Sequence, residues 1–435
     1  MIPTPKKTPG DTSWFTHDRF GLFIHWGLYS LAARHEWVKK REEIDTETYD
    51  KYFKHFDPDL YDPKIWAQAA ADAGMKYFVI TTKHHEGFCL WNTDQTDYNS
   101  MNTPAGRDLL APMVEAFRSK GLKAGFYHSL LDWHHPDYTV DICHPMARNS
   151  EYIKKDKYRR IENYAGYLHA QTRELLTHFG DIDILWYDFS VAPSDEFAGK
   201  GRDIWQSEKL IRMIRELQPN IILNDRLQID QDIKTPEQFM PREWVRVNNE
   251  PVIWEACHTF SGSWGYHRDE ESWKSVDVLV RMLIDTVSKG GNLLLNVGPN
   301  GRGEFDERAY ERLTGIGRWM RKHSRSIYGC TQAPDQFTCP QDCRYTYSPE
   351  KNRLYLHVFS WPFRHIHLDG MAERVEYAQL LNDASEIKMI EQKASLQTDY
   401  GSMKEARDEK LLTLEIPVKK PDVTVPVIEL FLKDR

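Results

Sequence analysis

Between Trp14 and about His323, short apolar runs alternate with amphipathic stretches, and this alternation constrains the fold more than any other feature. The runs are FGLFIHWG (20–27), KYFVITTK (76–83), LKAGFYHS (122–129), IDILWYDF (182–189), IILNDRL (221–227), VIWEACH (252–258) and NLLLNVGP (292–299). Between them, apolar residues recur at three and four over 65–73, 109–120, 158–178, 208–217, 276–288 and 307–322, the period of a helix with one buried face. Gly74, Gly121, Gly180 and Asn220 follow four of these stretches as stop signals. Strand and helix in repeated alternation predict a parallel sheet, and runs apolar on both faces suit a sheet covered by helices. No G-x-G-x-x-G follows the first run, which argues against a dinucleotide-binding sheet. Seven strands are read and an eighth is irregular or missing, so the expected fold is an imperfect (β/α)8-like TIM barrel over residues 1–335.

After Ile327 the pattern changes. RYTYSPEKNRLYLHVFSW reads as two short strands around a turn at 349–352, and VEYAQLL, EIKMIE, LLTLEIP and VPVIELFL continue without helices. Short strands in succession predict a C-terminal antiparallel β-sandwich over residues 336–435. No low-complexity linker separates the two parts, so firm packing of the sandwich on the barrel is expected.

Length agrees with two domains, since 435 residues exceed one compact core. A net charge of -8 disfavours a nucleic-acid partner. No apolar run reaches the length of a membrane span, and the opening MIPTPKKTPG lacks the apolar core of a signal peptide. The chain as it stands is therefore expected in the cytoplasm. Cys89 and Cys257 read as reduced core thiols, and the spacing of Cys330, Cys339 and Cys343 is not that of a zinc knuckle.

Polar and aromatic residues gather where the barrel strands end: His25-Trp26, His84-His85-Glu86, Tyr127-His128, Trp186 and Asp188, Asp225-Arg226, and Glu255. Taken singly, each reads more readily as a buried, hydrogen-bonded residue of the core. In a parallel barrel, however, strand C-termini converge on one rim, and together they predict a pocket there. Metal hydrolysis fits poorly, because strand one offers His25-Trp26 rather than His-x-His and no H-E-x-x-H helix is present. Adjacent His84 and His85 would point to opposite faces of a strand, so only a loop could bring both to one ligand. No G-x-S-x-G elbow offers a serine nucleophile. Two carboxylates in an aromatic-walled pocket fit glycoside hydrolysis, with Asp188 as nucleophile and Glu36, Glu86, Glu237 or Glu255 as proton donor.

WFTHDRFGLFIHWGLYS, HEW (35–37), TTKHHEGFCLWNT, GLKAGFYHS, DILWYDFS, NDR (224–226), SWGY (263–266) and SKGGNLLLNVGPNGRG together resemble the family 29 glycoside hydrolases, the α-L-fucosidases. The resemblance spans the barrel in order. It implies a (β/α)8-like barrel followed by a β-sandwich, and retaining hydrolysis of terminal α-L-fucose without a metal or organic cofactor. The substrate would be a fucosylated oligosaccharide or glycoconjugate. By resemblance, Asp188 is the nucleophile, and His25, Glu36, Trp37, His84, His85, Tyr127, Trp186, Arg226 and Trp264 bind the sugar. In the branches with a T-P-E motif, the glutamate of that motif is the acid/base; here KTPEQF gives Glu237, with Glu255 of IWEAC as the competitor. The donor's pKa is expected to be raised by carboxylate proximity and partial burial. Phe189-Ser190 stand where many members have Gly, Val38 where Tyr is common and His128 where a second Tyr is frequent. These departures are expected to border the pocket and to bear on leaving-group preference. A non-catalytic fucose-binding protein and a glycosidase of a related sugar such as galactose remain as alternatives. A homo-oligomer is compatible with the aromatic rim, and the sequence does not decide it.

Overall fold

The computed structural model describes residues 2–391 and 410–433. The first seven-stranded sheet is built from β1 (Phe20–Ile24), β2 (Tyr77–Lys83), β3 (Lys123–Ser129), β4 (Ile184–Asp188) and β5 (Ile222–Leu223). After a two-stranded hairpin of β6 (Arg246–Val247) and β7 (Glu250–Pro251), β8 (Glu255–Thr259) and β9 (Asn292–Val297) complete it. The order is β5-β4-β3-β2-β1-β9-β8, with every pairing parallel. Helices Pro63–Asp72, Leu110–Ser119, Ile161–His178, Ser207–Leu217 and Val276–Ser288 link successive strands, and Glu307–His323 follows β9. Three of these six helices have a side-chain cap at the start. Asp62, Ser275 and Asp306 each accept a backbone N–H of the first turn, and Pro63 stands where its missing N–H costs nothing. The helix Thr46–His55, opened by Asp45, was not anticipated.

The sheet curls into an imperfect barrel, and the seam lies between β5 and β8. There a segment bridges both neighbours without forming a regular strand: Asn224 pairs with Ile233, Lys234 with Trp254, and Glu237 with Cys257, all in parallel. Lys234 N–H donates to the Ile253 carbonyl at 3.0 Å, Glu255 N–H to that of Lys234 at 2.9 Å and Cys257 N–H to that of Pro236 at 3.0 Å. Pro236 has no N–H to return, which keeps the ladder from becoming continuous. This is the irregular eighth stave. β5 is short for a related reason: the Asn224 side chain bonds the Tyr187 N–H at 3.1 Å and its carbonyl at 2.8 Å, where backbone pairing would have continued.

Every residue of β1, β2, β4, β8 and β9 is buried. Phe23, Tyr77, Tyr127, Trp186, Ile222, Cys257 and Leu294 fill the barrel interior as one cluster, and a second cluster lies between strands and helices. Beyond β10 (Thr331–Gln332), β11 (Cys343–Ser348), β12 (Arg353–Val358), β13 (His365–Leu368), β14 (Val375–Leu380), β15 (Lys388–Glu391), β16 (Leu412–Glu415) and β17 (Val427–Leu432) build two antiparallel sheets. Their orders are β10-β11-β12-β17-β14 and β13-β16-β15. Leu354, Leu356, Ile428 and Leu430 of one sheet share a core with Ile366, Leu368, Leu412 and Leu414 of the other. β13 was missed because HIHL puts histidine at both exposed positions, leaving two apolar residues as its only signal. The Trp319 indole donates to the Val425 carbonyl at 2.8 Å and Arg344 pairs with Asp285 at 2.8 Å, tying the sandwich to the barrel helices.

Candidate active site

Strand ends and the loops after them line a small, partly open pocket at the C-terminal mouth of the barrel. Phe23, Trp186 and Cys257 come from inward positions of β1, β4 and β8, while His25, Tyr127 and Asp188 project from strand ends. His84 and His85 follow the end of β2, and the turn there places their rings 3.9 Å apart on the same pocket. Trp37 and Trp264 close the sides from loops.

Asp188 and Glu237 are the carboxylates that line this space. Arg226 joins them: Nη1 donates to Asp188 Oδ1 at 2.8 Å and Nη2 to Glu237 Oε2 at 3.0 Å. Its Nε is held by Thr235 Oγ1 at 3.1 Å, and the guanidinium lies 5.0 Å from the Trp186 ring. The Tyr127 hydroxyl donates to Asp188 Oδ2 at 2.9 Å. Burial pushes Asp188 up to about 6, while Arg226 opposes that rise. A carboxyl near 6 is still ionised about ten to one at pH 7. The burial expected of the proton donor is therefore found at Asp188 instead. The Glu237 side chain is 39% exposed and paired with Arg226.

The histidines are neutral acceptors. His25 Nδ1 meets Asn296 Oδ1 at 2.6 Å, an acceptor, so Nδ1 carries the proton and Nε2 is left with a lone pair. Asn296 is oriented in turn by its amide, which donates to the Trp264 carbonyl at 2.6 Å. His85 Nδ1 meets Ser129 Oγ at 2.7 Å, and that hydroxyl donates to the Leu131 carbonyl at 2.9 Å. His85 Nδ1 is then the donor, and Nε2 again is free to accept. Desolvation lowers His25 to about 3 and holds His84 and His85 well below the usual imidazole range.

Three carboxylates weighed from the sequence stand behind the pocket rather than in it. Glu36 is buried, and its Oε2 accepts from the backbone N–H of Trp264 at 3.1 Å and of Gly265 at 2.9 Å, fixing the Trp264 turn. His35 Nδ1 lies 3.1 Å from Glu36 Oε1 but accepts from Trp37 N–H and, lowered to about 3, has no proton to give. Glu36 Oε1 accordingly carries no hydrogen bond, and burial pushes the group up to about 7. Glu86 accepts from Leu28 N–H at 2.9 Å and from the Tyr49 hydroxyl. Glu255 uses both oxygens inside the barrel, accepting from the Tyr77 hydroxyl at 2.6 Å and the Trp186 indole at 3.3 Å.

Of the three departures, Phe189 alone borders the pocket. Val38 packs in the core between strands and helices. His128 faces outward from β3, its Nδ1 3.0 Å from Thr82 Oγ1 and its ring beside Trp91 and Tyr187. Asp225 turns away too and pairs with Lys234 at 2.9 Å. Phe23 and Cys257 were missed as lining residues, although each lies two residues from a candidate, His25 and Glu255, and so on the same strand face.

A profile of the family described as Alpha-L-fucosidase matches residues 5–325. The plasma α-L-fucosidase of Homo sapiens is 27% identical over 384 residues, covering 80% of this chain and 76% of that protein. The structure of α-L-fucosidase isoenzyme 1 from Paenibacillus thiaminolyticus superposes with a TM-score of 0.88 at 44% identity, covering 97% of this chain and 99% of the other. A family 29 α-L-fucosidase from Bacteroides thetaiotaomicron, trapped as a covalent intermediate with 2-fluoro-fucosyl fluoride, superposes at 0.82 with 26% identity, over 100% and 99%. With its barrel, its aromatic pocket and these likenesses, the chain belongs to the α-L-fucosidase family of glycoside hydrolases.

Proposed function

We propose that the chain is a retaining exo-α-L-fucosidase that removes terminal α-L-fucose from oligosaccharides or glycoconjugates, with Asp188 as nucleophile and Glu237 as acid/base. The observation that carries this reading is the single guanidinium of Arg226 bonded to both carboxylates at the pocket. Two carboxyls within one guanidinium's span favour the close spacing of a retaining pair, about 5–5.5 Å, over the wider gap that admits a water. The covalent intermediate trapped in the Bacteroides relative supports the same chemistry.

In the first step an Asp188 oxygen attacks the anomeric carbon, the glycosidic C–O bond breaks, and the leaving oxygen takes the proton of Glu237. In the second, Glu237 accepts a proton from water, the water oxygen bonds to the anomeric carbon, and Asp188 departs as carboxylate. Arg226 and Tyr127 keep Asp188 ionised against its burial, so the nucleophile is ready at neutral pH. Neutral His25 and His85 offer Nε2 lone pairs to sugar hydroxyls. Phe23, Trp186 and Trp264 offer apolar surface to the sugar's methyl group and C–H faces.

Turnover of 4-nitrophenyl α-L-fucoside by wild type, Asp188→Ala and Glu237→Ala, each with and without azide, tests the assignment. Asp188→Ala should be inactive and yield the inverted glycosyl azide; Glu237→Ala should be rescued with retention. Near-normal hydrolysis of a poor leaving group by Glu237→Ala would remove Glu237 from the role. A wild type that binds fucose without hydrolysing any fucoside would reduce the site to a binding pocket.

A further inference from the structure

Phe189 follows Asp188 with φ at +69°, in the left-handed region where a residue with a Cβ is unfavourable. Such a conformation persists only where the surroundings over-determine it, and here both neighbours are clamped. Asp188 is held by Arg226 and Tyr127, and its carbonyl accepts the Leu130 N–H at 3.0 Å. Ser190 Oγ donates to the Arg226 carbonyl at 2.8 Å and accepts from the Trp205 indole at 3.1 Å. The residue between them has no freedom to relax, and its half-buried ring lines the pocket. That ring packs 5.1 Å from Trp37 and meets His85 edge-on at 4.8 Å.

His85 is itself fixed, its Nδ1 bound to Ser129, which leaves Nε2 as the atom able to receive a ligand hydroxyl. The Phe189 ring, its centroid 4.8 Å from that of His85, lines the same pocket that such a hydroxyl would enter. We propose that Phe189 is a specificity-determining residue: it demands that the sugar oxygen received by His85 carry hydrogen only, and so excludes fucosyl groups bearing an alkyl, acyl or glycosyl substituent on that oxygen. This rests on the fucosidase reading of the same pocket and adds to it the class of substrate that is refused. No acidic or basic group is required of Phe189, because the exclusion is steric.

The experiment compares kcat/KM for 4-nitrophenyl α-L-fucoside and its 2-, 3- and 4-mono-O-methyl derivatives in wild type, Phe189→Gly, Phe189→Ala and Phe189→Leu. Glycine takes the left-handed conformation freely, so at least one space-opening variant keeps the backbone in place. Wild type should turn over one of the three derivatives about a hundredfold worse than the parent. Phe189→Gly and Phe189→Ala should narrow that one ratio by about tenfold or more, the scale of a methyl group in a tight pocket, while Phe189→Leu preserves it. An equal loss on all four substrates would mark a merely structural residue, and unchanged ratios would mark a bystander; either overturns the proposal. A wild type inert on the parent fucoside would instead sink the fucosidase reading itself, so the two failures are distinguishable.

Discussion

The Tyr127 hydroxyl donates to Asp188 Oδ2 at 2.9 Å, and this bond works against the burial that lifts the same carboxyl to about 6. A hydrogen bond to the ionised form lowers a carboxyl's pKa, so its removal must raise it. In Tyr127→Phe the acidic limb of kcat/KM should move from near pH 6 upward by about one unit, the equivalent of one charge-assisted hydrogen bond. Activity at pH 6 should then fall more than activity at pH 8. His25, His84 and His85 stay neutral throughout this range and contribute no limb. A pH–rate profile identical in limb position to wild type would detach Tyr127 from the ionisation.

The Trp264 turn is seated against the end of β9. A Cβ at Gly298 would lie 2.5 Å from the Gly265 carbonyl carbon and 2.5 Å from the Tyr266 nitrogen, both backbone atoms that cannot swing aside. Gly298→Ala should push the turn outward, loosening the wall that Trp264 gives the pocket. We expect KM to rise about tenfold with a smaller change in kcat, because a misplaced wall weakens ground-state and transition-state binding together. Steady-state kinetics on the nitrophenyl fucoside check this, and an unchanged KM would mean the turn does not contact the sugar.

Glu255 links pH to stability. Burial pushes it up to about 7, above the ordinary glutamate value. Its folded-state pKa is thus raised, so between roughly pH 4.5 and 7 the folded protein binds more protons than the unfolded chain, and stability falls as pH rises. Glu255→Gln keeps the shape without the charge. Urea unfolding should find the variant about 1–3 kcal/mol more stable than wild type at pH 8 and nearly equal to it at pH 4.5. Parallel stability curves over that range would show that Glu255 does not titrate there.

Behind β2, Lys83 Nζ lies 3.2 Å from Asp132 Oδ2 and 3.2 Å from the Tyr164 hydroxyl, with both members of the ion pair buried. Asp132 also accepts the His134 N–H at 3.0 Å and the His135 N–H at 2.9 Å, holding the loop that follows β3. Lys83→Met leaves a buried carboxylate uncompensated and should cost about 3–5 kcal/mol in denaturant unfolding. Adding Asp132→Asn neutralises that charge while keeping an acceptor for the loop, and should recover about half of the loss. A single-variant cost below about 1 kcal/mol would show that water or rearrangement satisfies Asp132.

The barrel was legible because six of its seven strands are buried along their whole length, so the apolar runs stand out against the helical period. IILNDRL shows where that legibility stops. It reads as a strand, yet Ile222 and Leu223 alone pair with β4, because the Asn224 side chain occupies the Tyr187 backbone. That substitution is tertiary and leaves no local trace. Rim residues such as His25, Tyr127 and Asp188 could be found from strand register, and Phe23 lay within the same logic. Phe189 lay outside that logic, since a positive φ imposed by clamps on both neighbours has no periodicity, and it was reached only as a departure from the family pattern expected to border the pocket. Glu237 stood among four donor candidates and was singled out only through its T-P-E motif, for Pro236 disguises the strand-like course of the segment that carries it.

That segment has a mechanical consequence. Asp188 ends β4, locked to β3 by a parallel ladder, whereas Glu237 sits on the seam, where scattered bridges replace a ladder and no helix backs the chain. One carboxylate is thus mounted on stiff ground and the other on a compliant hinge line. In the double displacement we propose, Asp188 would meet the same carbon throughout, whereas Glu237 would hand a proton to a departing oxygen and then take one from a water arriving at a slightly different point. On that reading the break in the barrel gives play to the residue with two positions to serve and withholds it from the residue with one.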